Sequence, residues 1–285
     1  MVKSWGRYTK GAALGKLGFC TSWAVDVHGA GSEWVEVVEV ELRLANLGEG
    51  FRGKRIVHVS DLHCSRTVSG KYLGRCIERI NVLDADIVVL TGDYVTYDTC
   101  GRFGKKVREL LERIESRMGL YACLGNHDYG VGGLFRKKRR SPLYRMIDGL
   151  ESAGVEVLRN DSRVLEVDGE GLWLVGLGDL WAEDFEPERA FEGVEKDGAV
   201  IALAHNPDSI EHMGGFWCDA VMSGHTHGAG VEWTRWGAKP FINRRSYTAG
   251  LYEVGGKKLY VNRGLGRLGK FLFNARPEIT VYNLC

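Results

Sequence analysis

At positions 34–44 the chain reads WVEVVEVELRL, apolar and acidic side chains in near alternation, which is the period of a half-buried strand. The stretches that follow are built differently. RIVHVSDLH (55–63) is a compact apolar run that stops at polar residues, and ADIVVLTGD (85–93) and GLYACLGNHD (119–128) repeat that plan. Each precedes a segment with helical spacing: Leu73, Cys76, Ile77 and Ile80 recur at three and four within 72–83, and helices are predicted near 105–118 and 144–153. Further strands are predicted at 155–158, 164–167, 172–176, 200–204, 220–223, 258–261 and 279–284. Continuous apolar strands separated by helices indicate a layered α/β core in which the strands are buried on both faces.

Composition narrows the class of protein. With 285 residues, 44% hydrophobic and 26% charged, the chain can bury a large core without disulfides or a partner subunit. Lys plus Arg total 38 against 37 for Asp plus Glu, which argues against a protein that coats nucleic acid through bulk charge. The seven cysteines are scattered, with no C-x-x-C pair, and fit a reducing compartment. Near the start, Lys3, Arg7, Lys10 and Lys16 precede an apolar patch at 17–25 that polar residues interrupt. The expectation is neither a cleaved signal peptide nor a membrane-spanning helix, with a short amphipathic surface anchor as the alternative. Five prolines and no low-complexity linker suggest one domain over 1–285, with its chemistry at about 55–230 and a strand extension within 1–50.

The chemistry is concentrated where the apolar runs end. Asp61 and His63, Asp93, Asn126 with His127 and Asp128, His205, and His225 with His227 all follow such runs. Open α/β folds keep their sites at the C-terminal tips of their strands. In extended backbone, residues i and i+2 point the same way, so Asp61 and His63 are expected to face one ion, and His225 and His227 likewise, with Gly224 and Gly228 allowing a tight bend. Seven oxygen and nitrogen donors exceed one tetrahedral ion, and the set contains no thiolate. Two divalent ions sharing Asp93 would use them all, with manganese, iron(II) or zinc as the metals, and such a pair can activate water for in-line attack on phosphorus.

In this order DLH, GD, GNHD, AHNPD and GHTHG resemble the calcineurin-like metallophosphoesterase superfamily, over about 55–230. The resemblance implies a four-layer α/β/β/α sandwich of two mixed sheets flanked by helices. It implies Asp61, His63 and His227 on a first metal, Asn126, His205 and His225 on a second, Asp93 bridging, and a catalytic His127 outside the coordination shell. The tail at 260–284 and residues 35–47 resemble the bacterial single-domain phosphodiesterase branch, which includes UDP-2,3-diacylglucosamine pyrophosphatases. That points to a lipid-linked nucleotide as substrate and to a cytoplasmic location at the inner membrane surface. One departure stands out: Thr96 occupies the position at which protein phosphatases of the superfamily carry the Asp that orients the catalytic histidine. Asp128 or Asp98 could replace it. A phosphate leaving group needs little protonation, so Thr96 tilts the reading towards anhydrides or diesters and away from phosphoproteins.

Several residues have plainer readings. His58, mid-strand, His28 and His212 are expected to be structural, and Cys64 to point into the core rather than at a metal. Asp128 is either a neighbour of the ligands or a turn cap. The run RKKRR at 136–140 is either a solvated loop or a phosphate- or membrane-binding patch, and GRLGKFLF at 266–273 either an edge element or an apolar lip. Arg66 and Arg263, just past strand tips, are candidate phosphate binders. The rival functions are a nuclease or cyclic-nucleotide phosphodiesterase on the same centre, and a non-catalytic protein scaffold.

Overall fold

The computed structural model describes residues 34–98, 100–132, 140–195, 197–229, 231–234, 237–240, 247–266, 272–273 and 276–285. The RKKRR run, most of GRLGKFLF, His28 and the basic start of the chain lie outside the described residues, apart from a few backbone positions at their ends.

One six-stranded sheet runs in the order β1 (Glu36–Leu42), β15 (Glu278–Leu284), β2 (Arg55–Val59), β3 (Ile87–Thr91), β4 (Leu120–Cys123), β5 (Val155–Val157). It is mixed: β2 to β5 are mutually parallel, β15 is antiparallel to β2, and β1 is parallel to β15. A second mixed sheet runs β12 (Gly250–Val254), β13 (Lys257–Val261), β9 (Ala220–Ser223), β8 (Ala199–Leu203), β7 (Glu170–Gly176), β6 (Asp161–Val167). There β13, β9, β8 and β7 are parallel, with antiparallel strands at both edges. Strands β10 (Val231–Thr234), β11 (Gly237–Pro240) and β14 (Leu272–Phe273) form a small third sheet.

Alternation along the central strands explains the unbroken apolar runs. On β3, Ile87 and Val89 enter the layer between the sheets, while Val88 and Leu90 pack under the helices. On β8, Ile201 and Leu203 face the first sheet, and Val200 and Ala202 face outward onto Ala190, Ile210 and Met213. The helices α1 (Gly70–Val82), α2 (Arg102–Leu111) and α3 (Arg140–Ser152) cover the first sheet through Leu73, Ile77, Ile80, Leu110, Leu143 and Leu150. Among the described residues, the helices outside the second sheet are the four-residue α4 (Pro187–Ala190) and a 3-10 turn at Pro207–His212. The architecture is the expected α/β/β/α sandwich, with a thin fourth layer.

Several elements depart from expectation, α4, β10 and β11 among them, and two show why. Helix α2 ends at Leu111, well short of Met118, because the Asn81 side chain accepts from the Glu115 amide and donates to the Arg113 carbonyl, capturing groups that a longer helix would have paired internally. Strand β12 went unread because its burial alternates only between half-buried and exposed. Its signal is the Gly255-Gly256 pair, with φ of 56° and 81°, the two-residue turn that joins β12 to β13 as a hairpin.

Candidate metal centre

The parallel strands of both sheets deliver their C-terminal ends to one place, and the loops there continue the pairing. Asp61 N donates to Gly92 O (3.0 Å), His63 N to Asp93 O (2.9 Å) and Gly224 N to His205 O (3.0 Å). Gly224 admits no side chain: a Cβ there would overlap the Ser60 hydroxyl and the Asp61 carboxylate. The Asp128 carboxylate accepts from the amides of Asp93 (2.8 Å), Tyr94 (3.0 Å) and Gly125 (2.8 Å), so it caps this junction and is not aimed at the centre. Burial and the adjacent Asp93 carboxylate push its pKa up to about 8.

The i, i+2 expectation for ligand direction needs correcting. Asp61 (φ 52°), His63 (45°), Asp93 (57°), His225 (70°) and His227 (50°) are all left-handed, not extended. Their side chains converge because the backbone coils at the strand tips, which costs roughly 1–3 kcal/mol per residue and persists only where surrounding contacts over-determine it.

Five of the seven candidate donors have one atom tied to the protein and another left for the centre. Asp61 Oδ2 accepts from His225 N (2.9 Å), while Asp61 Oδ1 is buried without a hydrogen bond. Asp93 Oδ1 accepts from His127 N (2.9 Å), leaving Oδ2. Asn126 Nδ2 donates to Val131 O (2.6 Å), and its Oδ1 is buried without a hydrogen bond. His205 Nδ1 donates to Thr91 O (2.6 Å), and His63 Nδ1 meets Thr96 Oγ1 (3.2 Å), leaving both Nε2 atoms. Backbone partners of this kind fix the tautomer and direction of metal-ligating histidines.

The free atoms stand close together. His63 Nε2 lies 3.1 Å from His227 Nε2, 3.4 Å from Asp93 Oδ2 and 3.7 Å from Asp61 Oδ1. His205 Nε2 lies 3.2 Å from Asp93 Oδ2 and 3.1 Å from His225 Nδ1, and His227 Nε2 is 3.4 Å from Asp61 Oδ1. Ligand atoms about 2.1 Å from one ion at octahedral or tetrahedral angles stand about 3.0–3.4 Å apart, so the spacing suits cations. Asp61, His63 and His227 form one group that could hold an ion, and Asp93, His205 and His225 another, all buried. A third group, His63, Asp93 and His127, brings a ring nitrogen of His127 within 4.8 Å of the shared edge.

The charges make the same demand for positive charge. Burial pushes the Asp61 and Asp93 carboxyls up, yet the surrounding histidines outweigh it and hold both below the usual carboxylate range. Burial lowers the His227 imidazole to about 4, whereas Asp93 draws His205 up to about 10 against its own desolvation.

The flanking residues resolve as follows. His58 is structural: buried, it meets Tyr282 Oη (3.1 Å) and Thr91 Oγ1 (2.8 Å). Cys64 is in the core, where burial raises its thiol to about 11. His212 packs on Phe185 and is exposed. His127 is oriented by neither Asp128 nor Asp98: its Nδ1 donates to the Thr96 carbonyl (2.8 Å), and Asp98 instead accepts from Gly104 N at the start of α2 (2.6 Å). Main-chain atoms carry no residue signature, so sequence reading could not find that partner. Arg66 is exposed, in a cationic hollow with Arg102, Lys105 and Lys106. The Arg263 guanidinium is held by Glu278 and by Glu36 (2.9 Å), which engages its donors within the protein. From His127 a groove of about 900 Å³ opens between α2 and α3, lined by Val95, Tyr97, Lys105, Arg108, Arg145 and Met146. Sequence reading also missed Trp181, half exposed, whose ring meets His225 edge-on at 4.5 Å.

This two-sheet sandwich with a buried Asp/His cluster at its strand tips is that of a metal-dependent phosphoesterase. The Calcineurin-like phosphoesterase family profile matches residues 54–229, and the chain belongs to that family. It is 33% identical to Phosphodiesterase YaeI of Escherichia coli over 253 residues, 88% of each chain. It is 29% identical to UDP-2,3-diacylglucosamine pyrophosphatase LpxG of Chlamydia trachomatis, over 80% of this chain and 83% of that one. Identity to the uncharacterized metallophosphoesterase YkuE of Bacillus subtilis is 30%, over 88% and 85%. No helix among the described residues is long and apolar enough to cross a membrane.

Proposed function

We propose that the protein hydrolyses phosphodiester or pyrophosphate bonds with two divalent cations, manganese first and iron or zinc as alternatives, and that its substrate is a lipid-linked nucleotide such as UDP-2,3-diacylglucosamine. The reading rests above all on the pairing of tied and free donor atoms. Asp61 Oδ1 and Asn126 Oδ1, each buried without a hydrogen bond, fit cation ligands better than any structural role. Asp61, His63 and His227 would hold one ion, Asn126, His205 and His225 the other, and Asp93 Oδ2 both. When bound, the cations supply positive charge to the phosphoryl oxygens and acidify water.

The chain's own residues do the rest. The Thr96 carbonyl holds the Nδ1 proton of His127, so Nε2 is the nitrogen left to meet the substrate, as an acceptor when the ring is neutral and as a proton donor to the leaving oxygen only when the ring is an imidazolium. A phosphate leaving group needs little of that help, which suits a pyrophosphate bond. The groove between α2 and α3, lined by three cationic, three acidic and several apolar side chains, offers room for the remainder of an amphiphilic substrate. The similarity to a UDP-2,3-diacylglucosamine pyrophosphatase supports the same class. An acylated substrate would bring the protein to the inner membrane surface from the cytoplasm. Arg66, exposed beyond His63, would attract its anionic part.

The test is elemental analysis of the purified protein, followed by assays of bis(p-nitrophenyl) phosphate, p-nitrophenyl phosphate and UDP-2,3-diacylglucosamine side by side. Two divalent ions per chain and preference for the diester and the pyrophosphate are expected. A metal content below one ion per chain with no turnover of any of the three would sink the proposal.

A further inference from the structure

Among the described residues, six large hydrophobic side chains are exposed, and two of them border the metal cluster. Tyr97, 44% exposed, stands edge-on to His127 at 5.5 Å with its hydroxyl donating to Gly132 O (3.1 Å). Trp181, 50% exposed, lies against His225 on the other side. A single exposed apolar residue needs no explanation. What sets Trp181 apart is that hydrogen bonds tie its loop to the rest of the fold.

That loop, following β7, is tied at both ends. Asp179 Oδ1 accepts from Ala182 N (2.8 Å), and Asp184 N donates to Asp179 O (3.1 Å). The Asp184 carboxylate takes two bonds from Arg159 (2.6 and 2.7 Å) and one from Tyr129 Oη (2.7 Å). Asn160 spans the loop, accepting from Gly178 N (2.7 Å) and donating to Asp184 O (2.6 Å). Ala182 is buried in the helix-covered core. The indole is thus presented to solvent on a hydrogen-bonded support, one ring width from a candidate ligand. On its own loop its neighbours are the half-buried Leu180, the buried Asp179 and Ala182 and the exposed Glu183, so the indole is the one large apolar side chain this loop exposes.

We propose that Trp181 determines specificity by stacking on a planar heteroaromatic ring of the substrate, a nucleobase joined through its sugar to the phosphorus being attacked. The inference rests on the hydrolase reading above and adds the group recognised. Exposed aromatic rings take bases in this way because every base offers a π-face. An alkyl chain would need continuous apolar surface, which this loop does not provide.

The experiment uses three p-nitrophenyl diesters that share a leaving group and differ in the other ester: thymidine 5′-, methyl and decyl. Manganese-loaded wild type should favour the thymidine ester over the methyl ester. In Trp181→Ala the ratio of their kcat/KM values should fall about tenfold, through KM more than kcat, and Trp181→Phe should keep most of the preference. By calorimetry, thymidine 5′-monophosphate should bind Trp181→Ala about tenfold more weakly, while inorganic phosphate loses less. An unchanged thymidine-to-methyl ratio, or a loss confined to the decyl ester, overturns the stacking proposal while the hydrolase reading stands. No turnover of any ester by metal-loaded wild type overturns the hydrolase reading and this one with it.

Discussion

The carbonyl oxygen of Thr96 accepts the Nδ1 proton of His127 at 2.8 Å, while the hydroxyl of the same residue lies 3.2 Å from Nδ1 of His63. One residue therefore orients both a candidate catalyst and a candidate ligand, with its main chain serving the first and its side chain the second. Thr96→Val keeps the carbonyl and removes the hydroxyl. It should weaken manganese affinity about tenfold, as loss of a ligand's outer partner does, and lower kcat at saturating metal far less. Metal titration followed by activity gives both numbers, and a large fall in kcat at saturation would contradict the division.

His127 and Asp93 should separate catalyst from ligand. His127→Ala is expected to lower kcat by about 10²–10⁴-fold with metal content near wild type. Asp93→Ala, which removes the oxygen lying 3.4 Å from His63 Nε2 and 3.2 Å from His205 Nε2, should lose turnover and metal together. Parallel elemental analysis and kinetics decide it, since an emptied site in His127→Ala would make that residue a ligand.

Burial holds the His58 pKa down at about 3, against 6.5 for the ordinary group. The folded protein keeps His58 neutral while the unfolded chain takes up a proton below 6.5. The stability from this residue is therefore complete above 6.5 and falls as pH drops through 6.5 towards 3. Between pH 7 and pH 5 the loss amounts to about 2 kcal/mol. Urea unfolding of wild type and His58→Gln at the two pH values should show a slope shallower by that amount in the variant.

Asp184 is 5% exposed and anchors the loop that carries Trp181, through Arg159 and Tyr129. Asp184→Ala leaves both partners without their acceptor, and because Arg159 is partly exposed the expected destabilisation is about 2–4 kcal/mol. Denaturant midpoints at constant m measure it. In the same variant, solvent quenching of the Trp181 fluorescence should rise.

The central strands and the positions of the donors were legible because their physics is local: apolar runs buried on both faces, ending in Asp, Asn or His. Ser69, whose hydroxyl accepts from Tyr72 N, caps the start of α1 and was not read, so the helix begins two residues before the expected 72. What stayed hidden depends on distant partners. Asn81 stops α2 from another helix, the Thr96 carbonyl replaces a side chain, and Trp181 reaches His225 from a loop more than forty residues away in sequence. The left-handed turns at the candidate ligands had only a weak local mark, since Asp and His are enriched at positive φ but do not require it.

Those five left-handed residues set the mould before any ion arrives. With Asp61, His63, Asp93, His225 and His227 coiled at the strand tips, the gaps between the candidate donor atoms are set by the folded backbone. A small ion near 2.1 Å from nitrogen and oxygen fills such gaps. Calcium, which wants six to eight oxygens at about 2.3–2.6 Å, would have to widen those gaps, so at a centre held by these residues discrimination between cations would rest on backbone shape as much as on ligand type.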